Sequence, residues 1–427
     1  MLDINYVRTN KEELKQNILN RQLDPKKFNV DELLQLDLDK KFLIQKVEAL
    51  RKKRNEITQQ INKTTESERE ELIKTAKSIR KELKKEEEKS EKILLRWREL
   101  MDLMPNVTNS NMPVGKDDSG NVEIKSWGGK PKHKFSAKHH LDLGESLGLI
   151  DVKKSALISG SRFYYLLNDA VSLEFALFNY VFQKLISRGF APIETPVLVR
   201  EKALYGTGYF PFENDQVYKI EKHNLEDKNE LYLTGTSEQA IVSYHMDDLL
   251  KGKMPKKYLG YSPCFRSEVG SWGKDVRGIK RVHQFNKLEM IYFTTPETSQ
   301  KYMVEALAIE EEILQELELP YHVLEMCTGD VGMATHRKWD VEVFLPSQQE
   351  YCETMSNSDL ASYHARRLNI KYQKEDGSRD YVHTISATAI TNTRIILAIF
   401  DNFQQEDGSI RVPKILQQYL GKEVITK

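Results

Sequence analysis

Two apolar stripes in the first hundred residues leave few ways to fold them. Leu36, Leu43, Leu50 and Ile57 recur at heptad spacing, with Val47 and Ile61 at a second seam position and Lys40 and Arg54 interrupting it. After a polar turn around residues 62–67, Leu72, Ala76, Ile79, Leu83, Ser90, Ile93, Trp97 and Leu100 make a matching stripe. Only Pro25 breaks the region before Pro105 closes it. Such a period in a Lys-, Glu- and Leu-rich stretch predicts two long helices packed antiparallel as a coiled-coil hairpin. Roughly thirty residues per helix give an arm on the order of 45 Å. A seam of that length cannot be buried against a globular core, so the arm is expected to project into solvent.

At 427 residues the chain exceeds one ordinary core, so a second domain must follow the arm. The expected organisation is an arm-bearing domain over 1–105, an Asn-, Gly- and Lys-rich linker over 106–135, and a second domain over 136–427. In that domain a helical pattern over 172–187 accompanies strand-like runs: LYLTGTSEQA, KYLGYSPCFRSE, QFNKLEMIYF, YHVLEM and KWDVEVFLP. They do not form regular βαβ repeats, and no glycine-rich dinucleotide or phosphate loop appears. The expected class is α+β, with a mixed, mostly antiparallel sheet flanked by helices. Acidic and basic residues balance at 64 each, so any nucleic-acid contact must use local patches. Cys264, Cys327 and Cys352 share no metal-ligand spacing and suit a reducing compartment. The first residues carry acids and no apolar run, and no stretch approaches the ~18 apolar residues of a membrane span. A cytoplasmic location with no membrane association is expected.

The densest chemistry lies between Tyr261 and Tyr292. Phe265-Arg266-Ser267-Glu268 opens a Gly-rich basic loop that returns as Arg281-Val282-His283-Gln284-Phe285, with Glu289 beyond. Alternation on both flanks reads as two antiparallel strands joined by a long exposed loop. On those strands Arg266, Glu268, Phe285 and Glu289 are expected to project toward one face. They are residue types that can hold a phosphate, an adenine edge, an adenine face and an ammonium group. Thr236-Ser237-Glu238-Gln239 stands between a strand at 231–233 and a helix expected over 240–250. It suits a helix cap, and equally a grip on an ammonium. Near the C-terminus, His383 to Thr388 leads through Thr391-Asn392-Thr393-Arg394 into an apolar helix. Arg394 at a helix start opposes the helix dipole, a cost that either a local acid or a bound polyanion would reverse. Arg51-Lys52-Lys53-Arg54 on the arm is either a solvated helix face or a grip on an RNA backbone.

Taken in order, these segments resemble the seryl-tRNA synthetases of class II over essentially the whole chain. GFAPIETPVL resembles class II motif 1, FRSE through HQFNKLEM motif 2, and TNTRIILAIFDNFQQEDGSIRVP motif 3. TSEQ, ETMSNSDLASYHARRLNI and the two-helix arm are features of the seryl branch. The resemblance implies a homodimeric ligase that activates L-serine with ATP and Mg²⁺ and charges serine tRNA, leaving open whether selenocysteine tRNA is also charged. It implies ATP contacts at Arg266, Ser267, Glu268, Val282, Phe285, Glu353, Thr354, Met355, Ser356 and Arg394. Of these, Arg266, Glu268 and Arg394 are the catalytic set. Serine contacts fall on Thr236, Ser237, Glu238, Arg266, Glu289, Ser386 and Thr388. Mg²⁺ would be held by Glu353 and Ser356 together with the ATP phosphates. The arm, with Arg51, Lys52, Lys53 and Arg54, would recognise the long variable arm of serine tRNA, and the loop 270–280 its acceptor stem.

Two departures stand out. Ser386 replaces a commoner Asn, and Ser356-Asn357-Ser358-Asp359 stands where Ser-Cys-Ser-Asn is usual. Both are expected near the amino-acid pocket, with Asp359 adding negative charge there. A relative that loads a non-tRNA acceptor is the alternative, although it would have little use for the arm. A catalytically silent RNA-binding protein should have lost Arg266, Glu268, Glu289 and Arg394, and all four are present.

Overall fold

The computed structural model describes residues 1–221, 230–269 and 277–427. It divides into two units, residues 2–105 and residues 106–427 together with Met1.

The first unit opens with two short helices, α1 (Ile4–Thr9) and α2 (Lys11–Asn20), before the hairpin of α3 (Val30–Ile61) and α4 (Glu66–Leu103). Asn29 caps α3 by accepting from the Glu32 amide at 2.9 Å. Leu43, Val47 and Ile57 on α3 and Ile79, Leu83 and Leu100 on α4 are buried along the seam, as the heptads require. Lys40, a seam interruption in the sequence, lays its ammonium over the Trp97 ring at 3.2 Å. Cross-hairpin pairs flank the seam: Lys46–Glu86 at 2.9 Å, Arg51–Glu87 at 2.8 Å and Arg96–Glu32 at 2.7 Å.

The second unit is built on one eight-stranded sheet. Its strands are β1 (Val122–Trp127), β2 (Ala191–Glu194), β3 (Lys256–Phe265), β4 (Gln284–Thr294), β5 (Tyr321–Glu325), β6 (Arg337–Leu345), β7 (Glu350–Asp359) and β8 (His383–Thr391). They lie in the order β1-β5-β6-β7-β8-β4-β3-β2. Every pairing is antiparallel except β2 with β3. Helices α5 (Asp169–Ser187), α7 (Ser299–Glu316) and α8 (Asn392–Phe403) cover the sheet and close the main core. The segment expected as a linker contributes β1, and Asn106 donates to the carbonyls of Ala334 and Leu360 at 2.9 Å each. Pro192 sits on the edge strand β2, where a missing N–H costs no ladder bond.

Helix α6 (Ser237–Tyr244) is shorter than its sequence pattern suggests and begins at Ser237 rather than Ala240. His245 bonds the Asp248 carboxylate at 2.9 Å, and Asp247 adopts φ +63°, which turns the chain out of the helix. Leu249–Leu250 then pairs with the strand at Lys371–Gln373. The start of α6 packs directly on β3 at Gly260. A Cβ there would lie 2.3 Å from Ile241 Cδ1 and 2.6 Å from Ser237 Oγ. Gly260→Ala is therefore expected to push α6 from the sheet and destabilise the protein by about 1–3 kcal/mol, measured by urea unfolding.

Candidate active site

The centre of the site is β4. Its even residues Leu288, Met290 and Tyr292 are buried in the core. Its odd residues Phe285, Lys287 and Glu289 line the cleft on the other face. A register shift against β8 falls between Leu288 and Glu289, where the strand hands Glu289 to the pocket. Arg266 and Glu268 lie beyond the end of β3, not on it as the alternation suggested. The strand ends stay clamped there, because the Arg266 amide donates to the His283 carbonyl at 2.9 Å. Glu268 takes φ +49°, and its carbonyl accepts from Arg162 at 2.9 Å.

One cavity gathers Arg266, Glu268, Val282, Phe285, Glu353, Thr354, Met355, Ser356, Thr388 and Arg394. The Arg266 guanidinium lies 5.3 Å from the Phe285 ring centre and donates to the Gly235 carbonyl at 3.3 Å. Arg394, in the first turn of α8, meets its local acid in Glu353, with Nη1 3.1 Å from Oε2 and 2.6 Å from the Glu353 carbonyl. Enclosure in the cleft raises the Glu353 carboxyl, but the Arg394 guanidinium and the Lys338 ammonium overcome that and hold it down at about 2. Ser356 and Thr388 hydroxyls stand 3.5 Å apart. Ser267 is turned away, its hydroxyl donating to the Asp215 carbonyl.

A second cavity adjoins the first and shares Arg266, Lys287, Glu353 and Ser356 with it. Thr236, Glu238, Glu289 and Ser386 line its floor. Ser237 does not face it but is fully buried against Gly260. Thr236 Oγ1 caps α6 at the Glu238 amide, 3.3 Å away, so the cap leaves the Glu238 carboxyl directed inward. Burial, and then the charge of Glu289, push the Glu238 carboxyl up to about 8. Ser386 Oγ donates to Glu289 Oε1 at 2.9 Å, while Oε2 pairs with the Lys287 ammonium. Asp359, expected near this pocket, points elsewhere. Its carboxylate accepts from Ser299 Oγ at 2.8 Å and the Ala361 amide at 2.7 Å. Strand alternation is the reason, since Ser356 and Ser358 take the cavity face of β7.

Several lining residues escaped the sequence reading. Lys287 alternates with Phe285 and Glu289, so the same period that placed those two could have found it. Tyr209, Glu213 and the segment 329–335 come from distant loops and carry no local signal. Lys338 and Asp340 pair at 2.8 Å along β6, and burial brings the Asp340 carboxyl to about 7. Residues 270–276 of the loop expected to meet an acceptor stem lie outside the described residues. Arg51, Lys52, Lys53 and Arg54 lie on α3 of the first unit, with Lys52 and Lys53 exposed. Arg51 is tied to Glu87, and Arg54 donates to the Asn55 side chain.

A cationic cleft laid across antiparallel strands, with an acidic pocket opening from its floor, is the arrangement of class II aminoacyl-tRNA synthetases. The class II core domain shared by the G, H, P, S and T enzymes matches residues 218–403, and the seryl-tRNA synthetase N-terminal domain matches residues 1–108. Serine–tRNA ligase of Dictyoglomus turgidum is 42% identical across 99% of this chain and 98% of its own length. That of Pyrococcus horikoshii is 38% identical across 100% and 98%. The crystal structure of the P. horikoshii seryl-tRNA synthetase complexed with ATP superposes with a TM-score of 0.91 at 37% identity, covering 100% of this chain and 99% of that one. The chain belongs to the seryl-tRNA synthetase family.

The two raised carboxyls have a thermodynamic consequence. Between the ordinary Glu value of 4.5 and about 8, folded Glu238 holds a proton that the unfolded chain releases. The contribution of Glu238 to stability without ligand therefore falls as pH rises through that window, and that of Asp340 falls up to about 7. The buried His364 and His140, held below the ordinary His value of 6.5, act in the opposite direction below that value. Urea midpoints from pH 6.5 to 8, above the ordinary His value, are expected to decline in the unmodified protein and to decline less in Glu238→Gln.

Proposed function

We propose that this chain activates L-serine with ATP and transfers it to the 3′ end of serine tRNA. The observation that carries this reading is the meeting of two cavities at Arg266, one suited to a nucleotide and one to a small amino acid. Arg266 stands where the serine carboxylate and the α-phosphate would meet, and its planar fork suits both. The carboxylate oxygen attacks the α-phosphorus, the bond to the bridging oxygen breaks, and pyrophosphate leaves with that electron pair. The terminal adenosine hydroxyl of the tRNA then attacks the seryl carbonyl and displaces AMP. The residues do little covalent chemistry; they position and stabilise charge.

Glu268 accepts from the adenine amino group, Phe285 stacks on the ring, and Arg394 neutralises the γ-phosphate, with Ser267 contributing only through the backbone. Ionised Glu353 and the Ser356 hydroxyl form an oxygen donor set that fits Mg²⁺, which, when bound, would offset phosphate charge. Serine lies between Glu238 and Glu289, its ammonium toward Glu238 and Thr236, its hydroxyl toward Glu289 beside Ser386 and Thr388. A site built to bond a hydroxyl leaves buried groups unpaired when alanine enters.

The arm grips the backbone of serine tRNA, with Lys52 and Lys53 among its exposed cations. A homodimer is supported by the edge strand β2 and the apolar groove beside it, where Phe175 is 72% exposed near Phe178 and Tyr261. Among the described residues no helix is long and apolar enough to cross a membrane.

Serine-dependent exchange of pyrophosphate into ATP, followed by charging of serine tRNA, tests the whole reading. Exchange without charging would favour a non-tRNA acceptor. Glu289→Gln is expected to lower kcat/KM for serine about 10–100-fold while leaving KM for ATP nearly unchanged. Equal losses for both substrates would remove Glu289 from the serine site. Lys52→Gln/Lys53→Gln should raise KM for tRNA several-fold and make its logarithmic salt slope shallower by about 1–2. An unchanged slope would make the cluster ordinary surface.

A further inference from the structure

Lys287 is a buried cation that the activation chemistry above leaves without a role. It is 6% exposed, sits on β4 between Phe285 and Glu289, and borders both cavities. Its ammonium is paired with Glu289 Oε2, and Ser386 already donates to Oε1, so both oxygens of Glu289 are aimed by neighbours. Charged and titratable groups of several elements surround the pair. Glu289 shares its strand, Cys264 lies on β3 and Arg266 just beyond it, Glu238 stands in the first turn of α6, Glu353 projects from β7, and the buried Glu310 of α7 is pushed up by burial and by Glu289. Cys264 is buried and its thiol is pushed up, so it stays neutral.

We propose that Lys287 is a positioning residue for amino-acid selection: locked against Glu289, it holds that carboxylate in one orientation toward the pocket, so that an amino acid without a hydroxyl is rejected. The proposal rests on the reading of Glu289 as the acceptor of the serine hydroxyl. With Oε2 held by the Lys287 ammonium and Oε1 by the Ser386 hydroxyl, the carboxylate has one fixed orientation toward the pocket. A serine hydroxyl can donate to a remaining lone pair and alanine cannot, so a carboxylate fixed there is left with an unmet bond when alanine enters. Freed from Lys287, the carboxylate could turn to another donor, and the penalty against alanine would shrink.

The test compares serine and alanine in pyrophosphate exchange from pH 6 to 9 for the unmodified protein, Lys287→Met and Lys287→Arg. Lys287→Met is expected to lose about 10–100-fold of its serine-over-alanine discrimination across that range. KM for ATP should change little, and Lys287→Arg, which keeps the charge, should stay within about threefold of the unmodified ratio. Should Lys287→Met fail to fold, Lys287→Met/Glu289→Gln removes both charges together. Its discrimination should equal that of Glu289→Gln alone, since Lys287 acts through Glu289. A uniform loss of kcat at every pH with the serine-to-alanine ratio unchanged would overturn the proposal, as would losses that simply multiply in the double variant. Serine-independent exchange in the unmodified protein would instead overturn the reading of Glu289, and the proposal with it.

Discussion

Strand β4 pairs along its length with β3 on one side and β8 on the other, and its two-residue alternation serves two solvents at once. Leu288, Met290 and Tyr292 anchor it in the core, and Phe285, Lys287 and Glu289 are thereby held facing the cleft. A one-residue slip would exchange the two sets and put charge into the core, so the pairing register and the chemistry are specified together. The antiparallel ladder makes this possible, since one sheet face can be dry and the other wet. Helix α6 is part of the same construction. It brings Glu238 to the pocket because Gly260 of β3 has no side chain to hold it off.

The charges of the site are matched in pairs before any substrate arrives. Arg394 faces Glu353, Lys287 faces Glu289, and Lys338 faces Asp340. Among the described residues Glu238 has no such close cation, since His364, 3.8 Å away, is kept neutral by burial, and it meets the burden of burial by holding a proton. An arriving ammonium would supply the missing partner and release that proton. Pairing of this kind limits reorganisation, because the charged groups are already held in place.

The hairpin obeys a different economy. Its seam is buried by heptad repetition, and its flanks are a ladder of opposite charges in which Arg51 is already engaged with Glu87. What remains exposed is a series of lysines spread along both helices among acids, not a strongly basic face, in keeping with the even balance of charge in the whole chain.

Periodicity alone determined a good deal. The hairpin, the five strand runs and the helix at 169–187 were legible, because each is set by the spacing of apolar residues along its own segment. Phe285 and Glu289 shared a face for the same reason, and Lys287 was equally readable. Local spacing does not reach past an element's end, which is why alternation carries β3 on over Arg266 and Glu268 although the strand stops before them. It also cannot tell which face of β7 meets the cavity, so the turn of Asp359 away from the pocket is invisible to it. The second wall of that pocket, from Tyr209, Glu213 and residues 329–335, exists only when distant loops converge. Only tertiary structure decided the protonation of Glu238 as well, since that depends on burial and on a carboxylate fifty-one residues away in sequence, brought close by the packing of α6 on the sheet.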